Sequence, residues 1–294
     1  MYTEQNKNIR KTWLLMTSFL VFIIFITWIF SMTYDNPFIL YVGVFFAIFS
    51  NFFSYYYSDK IALGISGAIP ADRENYFDLY TVTENLAITA GLPKPKIFII
   101  NDLSPNAFAT GRDKDHAVIC VTTGLLQILD RKELEGVIAH ELSHIGNRDI
   151  LLSTIIVVLV GFVSIISDWF LRFRFSLGRD NNRNNGSGIF LILGIIFAIL
   201  SPLIASLIHL AISRKREYLA DASGALLTRY PDGLASALIK IGKYDGKMAS
   251  ASNATAHLFI SNPFGSGVTK GISKMFMTHP PIEDRVKKLR EMGK

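Results

Sequence analysis

Two long uncharged stretches open the chain. Trp13 to Phe30 is 18 residues without a formal charge, and 12 of them are Leu, Ile, Phe or Val. Such a run favours bilayer insertion by about 5 kcal/mol, so a spanning helix is expected. A secretory signal would have a shorter apolar region and a small-residue cleavage site, which Ser31-Met32-Thr33-Tyr34 does not offer. Pro37 to Tyr57 adds 21 uncharged residues and ends in three tyrosines, whose half-polar rings suit the headgroup boundary. Ile150 to Ser167 and Ile189 to Ser213 are also long enough to span, the second containing Pro202 and His209. A buried core helix would show the same pattern.

Between these stretches the periodicity changes. Residues 71–90 place Tyr76, Leu79, Tyr80, Val82, Leu86 and Ala90 near helical spacing, and Gly91, Pro93 and Pro95 stop the helix. Lys96–Ile100, Ala107–Thr110 and Ala117–Val121 are apolar or β-branched runs bounded by turn residues, which predicts a small sheet. Asp130 with Glu133 predicts a capping box that starts a helix through His140 and His144. Beyond 213, one helix carries Glu217 to about Leu227 and another begins at Pro231 or Asp232. Residues 244–275, rich in Gly, Ser, Ala and Asn, read as a mobile loop. Pro280 and Pro281 then open a basic helix, Ile282 to Met292. The expected fold is a mainly α membrane protein: about four transmembrane helices and a cytoplasmic α+β part with a small β-sheet. Its divisions are an N-terminal hairpin at 1–58, cytoplasmic parts at 59–149 and 214–294, and a second apolar hairpin at 150–213.

Composition and charge refine this picture. Half of the 294 residues are hydrophobic and 18% are charged, which excludes a disordered chain. The net charge of +6 is concentrated in the tail: residues 214–294 carry +7 and 59–149 carry −4. Anionic lipid headgroups are the expected partner of that tail, since no interleaving of aromatic and basic residues supports nucleic acid. Lys7, Arg10 and Lys11 precede the first span and only Asp35 follows it, so the N-terminus is expected in the cytoplasm of a multi-pass cell-membrane protein. The arginines at 172, 174, 179 and 183 oppose that rule if their loop lies outside. Cys120, the single cysteine, reads as a buried apolar filler.

The chemistry is announced by His140-Glu141-Leu142-Ser143-His144. On a helix the two imidazoles lie about 40° apart around the axis and about 6 Å along it, so both can grip one ion. Chance would place this HExxH pattern in on the order of four per thousand chains of this composition. Catalytic zinc needs a third protein ligand and an open position. Glu217 is the candidate, with Asp221 four residues on along the same helix face to orient a ligand histidine. Glu141 would be the catalytic base. His279, Tyr218 and Arg214 are candidates for stabilising developing negative charge, with a cap of the final helix as the other reading of His279; His209 reads as snorkelling to the polar boundary or as locally hydrogen-bonded, and His116 and His257 as ordinary loop residues.

With Asn106-Ala107-Phe108-Ala109-Thr110-Gly111, Ser213-Arg214, Arg216-Glu217-Tyr218-Leu219-Ala220-Asp221 and Thr278-His279-Pro280-Pro281 beside the HELSH helix, the chain resembles the HtpX family of integral-membrane zinc metalloproteases, relatives of the enzymes that process prenylated CAAX proteins. The resemblance covers nearly the whole chain. It implies that the α+β part is zincin-like, with one Zn2+ held by His140, His144 and Glu217, Glu141 as base, and Asn106, Ala107 and Phe108 as a strand bordering the substrate cleft. It also implies misfolded or surplus membrane proteins, or unfolded polypeptides, as substrates. A dedicated protease for prenylated proteins and a scaffold with a closed structural zinc site are the alternative readings.

Overall fold

The computed structural model of the protein describes residues 2–158, 214–252, 254–265 and 280–293. Two antiparallel helices, α1 (Tyr2–Thr33) and α2 (Pro37–Ser66), form the N-terminal hairpin. The chain turns between them because Asn36 caps α2 through its side chain and Pro37 occupies the first helical turn. At 1.5 Å per residue each helix exceeds the roughly 30 Å hydrocarbon layer, leaving several turns outside it. Only 11% and 17% of their apolar windows are buried, which separates them from core helices. They approach closely at Gly43, where a side chain would collide with Thr27, a small-residue contact suited to packing in lipid. α2 continues past Tyr57 to Ser66.

A four-stranded mixed sheet follows, ordered β1 (Ile69–Pro70), β2 (Lys96–Ile100), β4 (Val118–Thr122), β3 (Ala107–Thr110). β2 and β4 run parallel, and the outer pairs are antiparallel. Both faces of β4 are covered. Ile119 and Val121 face one cluster with α3 (Phe77–Ala90), α5 (Arg131–Gly146) and α8 (Pro231–Gly242). Val118 and Cys120 face a second cluster with Leu15 and Met16 of α1, Ala62 and Leu63 of α2, and α6 (Asp149–Val158). This period-two division is why β4 is apolar from Val118 to Val121. Burial at 0% also bears out the filler reading of Cys120 and pushes its thiol pKa up.

Helix α5 starts at the expected capping box: Glu133 N donates to Asp130 and Asp130 N to Glu133. Glu133 also accepts from Lys240 and Ser236 at 2.6 Å each, fastening α5 to α8. α4 (Thr123–Ile128), α7 (Arg214–Thr228) and α9 (Ile282–Met292) complete the described helices.

The structure bears on two further expectations. Residues 150–158 open the third apolar stretch, and Ile155, Ile156 and Val157 pack inside the second cluster. The rest of that stretch and Ile189–Ser213 lie outside the described residues, which supply two candidate spans. The described part of the supposed mobile loop is packed: Met248, Phe259 and Ile260 are buried, and Ile260 N donates to Ala107 O at 2.9 Å. Its small residues let the backbone lie close to the sheet edge.

Candidate metalloprotease site

Helix α5 presents His140 and His144 with ring centroids 4.8 Å apart. α7 lies directly against it. A Cβ on Gly224 would sit 3.0 Å from the His140 backbone nitrogen, so glycine permits the approach. Glu217, Asp221 and Gly224 form one stripe at helical spacing, and that stripe faces α5.

The three expected ligand residues converge. The two Nε2 atoms are 3.2 Å apart, and Glu217 places one carboxylate oxygen 3.7 Å from His140 Nε2 and the other 3.6 Å from His144 Nε2. Donors arranged tetrahedrally about zinc at about 2.1 Å lie about 3.4 Å from one another, so the set fits such an ion. Charge gives a second, independent fit. Glu141, Asp149, Glu217 and Asp221 are buried and, among the described residues, only Arg216 and Arg285 oppose them. With neutral imidazoles the site carries two excess negative charges, which a buried dication would balance.

Each histidine is oriented through its other nitrogen. His140 Nδ1 faces Asp221 Oδ1 at 3.0 Å, and His144 Nδ1 faces Asp149 Oδ2 at 3.1 Å. Both contacts leave Nε2 turned to the ligand position. Arg285 binds Asp221 with two hydrogen bonds of 2.9 and 2.7 Å and lies 3.4 Å from His140 Nε2. Burial alone would push the Asp221 carboxyl up, but Arg285 and His140 outweigh it and hold the group well below the usual carboxylate range. Burial pushes the Glu141 pKa up, and the neighbouring histidines offset this only in part. For His144 burial pulls the other way, yet Asp149 and Glu217 raise its pKa to about 9.

The sequence candidates separate into those brought together and those not. His140, Glu141, His144 and Glu217 line one cavity, and Asp221 stands behind it. Tyr218 does not line it: it lies about 100° around α7 from Glu217, under Lys288 Nζ at 3.2 Å from the ring centroid. Arg214 is exposed at the start of α7. His279 lies outside the described residues. On β3 it is Ala109 that reaches the cavity. Asn106 is instead closed against the chain, its Nδ2 donating to Ser261 O at 3.0 Å and its Oδ1 accepting from Ser261 N at 3.1 Å, while Phe108 packs edge-on against Phe259. Buried amide groups need such partners, and the nearby backbone supplies them.

Four residues at the site are given no role there by the sequence pattern: Asp149, Arg216, His257 and Arg285. His257 is buried and lines the cavity, with Nε2 donating to Ser153 O at 2.9 Å, so it is no ordinary loop residue. Asp149 carries a faint signal, as a carboxylate five residues past a candidate ligand. Arg285 carries none, because it stands among other cations of a basic helix.

Comparison with known proteins places the arrangement. The Peptidase family M48 profile matches residues 74–293. The chain belongs to peptidase family M48. A protease HtpX homolog of Thermoanaerobacter pseudethanolicus is 49% identical over 99% of this chain and 98% of its own length. Another, from Dictyoglomus turgidum, is 46% identical over 99% and 95%. In fold, the chain is similar to the crystal structure of S. mikatae Ste24p, with a TM-score of 0.51, 19% identity, and coverage of 98% of this chain and 67% of that one. M48 membership makes the chain a metalloprotease, a hydrolase acting on polypeptides, and α1 and α2 make it a membrane protein.

Proposed function

We propose that the protein is a zinc endopeptidase in which His140, His144 and Glu217 hold one Zn2+ and Glu141 is the general base. It acts at the cytoplasmic face of the cell membrane on misfolded or surplus membrane proteins, with residues 59–149 and 214–294 forming one protease unit. The observation that carries this reading is the convergence of two imidazole Nε2 atoms, 3.2 Å apart, with the Glu217 carboxylate, one oxygen 3.7 Å from His140 and the other 3.6 Å from His144, in a pocket rich in buried carboxylates. Zinc held there supplies Lewis acidity to the scissile carbonyl and lowers the pKa of water towards about 7. Glu141 accepts the proton of the attacking water on its carboxylate and delivers it to the leaving amine. Asp221 and Asp149 keep protons on the two Nδ1 atoms, so both Nε2 lone pairs stay available.

The cavity beside Glu141 has a volume of about 30 Å³, room for about one or two waters. A peptide paired along β3 therefore has to displace the backbone at 258–261, which now bonds to Ala107 and Asn106. The decisive experiment compares Glu141→Gln with His140→Ala in the full chain. Glu141→Gln should keep zinc and lose peptidase activity by at least about 100-fold, whereas His140→Ala should lose both. Full activity in Glu141→Gln would refute the base assignment.

A further inference from the structure

A second cavity, of about 190 Å³, lies where the two membrane helices meet the protease part. Trp13 and Tyr55 stand on its membrane side and stack with centroids 6.4 Å apart. Trp13 is the first residue of one uncharged stretch and Tyr55 lies at the end of the other, so this ring pair marks the headgroup level on both helices. Arg112, Lys114 and Arg148 line the cavity at that level.

Among the described residues the only anion lining it, Asp113, is already engaged: its Oδ1 accepts from His116 Nδ1 and from the backbone of Asp115 and His116, and its Oδ2 faces Arg112 Nε at 3.4 Å. Lys114 and Arg148 are exposed cations with no ion pair among the described residues. Arg148 also holds a left-handed backbone, φ 57°, where glycine or asparagine is favoured. An arginine in this strained conformation stands at the rim of a pocket already facing two other cations, an arrangement suited to clamping an anion.

We infer that this cavity binds the phosphodiester headgroup of an anionic phospholipid. The phosphate meets Arg148, Lys114 and the guanidinium edge of Arg112, while the acyl chains follow the exposed apolar faces of α1 and α2. The site stands next to Asp149, the partner of His144.

The test is native mass spectrometry of the full-length chain purified in detergent, titrated with phosphatidylglycerol or phosphatidylcholine. One phosphatidylglycerol should be retained in preference to phosphatidylcholine. Arg148→Asn suits the left-handed backbone and removes one charge, and should weaken retention roughly fivefold; Arg148→Asn with Lys114→Gln should weaken it roughly thirtyfold. Thermal unfolding of each variant confirms that it is folded, and Arg148→Asn alone keeps the test open should the double variant fail to fold. Equal retention of the two lipids, or unchanged retention in Arg148→Asn, overturns the inference. Displacement of the lipid by millimolar inorganic phosphate also overturns it, in favour of a free-anion site.

Discussion

Arg285→Met tests how the buried charges hold the site together. The guanidinium is 0% exposed and binds both oxygens of Asp221, itself 2% exposed. Removing it leaves a buried carboxylate with only His140 Nδ1 as a partner among the described residues. Breaking one member of such a pair costs about 3–5 kcal/mol; the remaining His140 contact places the expectation near 3 kcal/mol. For a chain of this size that is a fall in melting temperature of roughly 6–12 °C. The assay is thermal unfolding in one detergent, at fixed pH and with chelator present, so that metal binding adds nothing to the stability. The double variant Arg285→Met with Asp221→Leu removes both charges and should be markedly more stable than the sum of the single changes implies. A shift within about 2 °C for Arg285→Met, or simple additivity in the cycle, would refute the reasoning.

Three more outcomes follow. Asp149→Ala removes the acceptor at His144 Nδ1, and zinc affinity measured by chelator competition should fall about 10–100-fold. Gly224→Ala pushes α7 off the His140 backbone and should cost about 1–3 kcal/mol, read from thermal unfolding. Because Asn8 Nδ2 donates to Asp149 and to Asn147 O, Asn8→Ala should lower zinc affinity less than Asp149→Ala does, checked in the same competition.

Much of this site is legible in the amino-acid sequence, and the reason is locality. His140, Glu141 and His144 lie within one helical turn, and the Asp130–Glu133 box that starts their helix is equally local. Glu217 and Asp221 can be paired because they share a helix face. Arg285 and Asp221 are 64 residues apart, and nothing in the local pattern distinguishes Arg285 from Lys287 or Lys288. His257 and its neighbours are obscured by composition, since a Gly, Ser and Ala-rich segment resembles a loop whether it is solvated or packed against a sheet edge. Tyr218 and Arg214 attract suspicion through adjacency to Glu217 in sequence, but of the described α7 residues Arg216 and Glu217 line the cavity, and Tyr218 is turned about 100° away from Glu217.

The central claim is that one divalent cation is shared by α5 and α7. Anomalous diffraction at the zinc edge from crystals of the purified chain tests it most directly. The account predicts one strong peak within about 2.3 Å of His140 Nε2, His144 Nε2 and a Glu217 oxygen, absent in crystals of Glu217→Ala. A zinc-loaded crystal with no peak there, or a peak undiminished in Glu217→Ala, would contradict it.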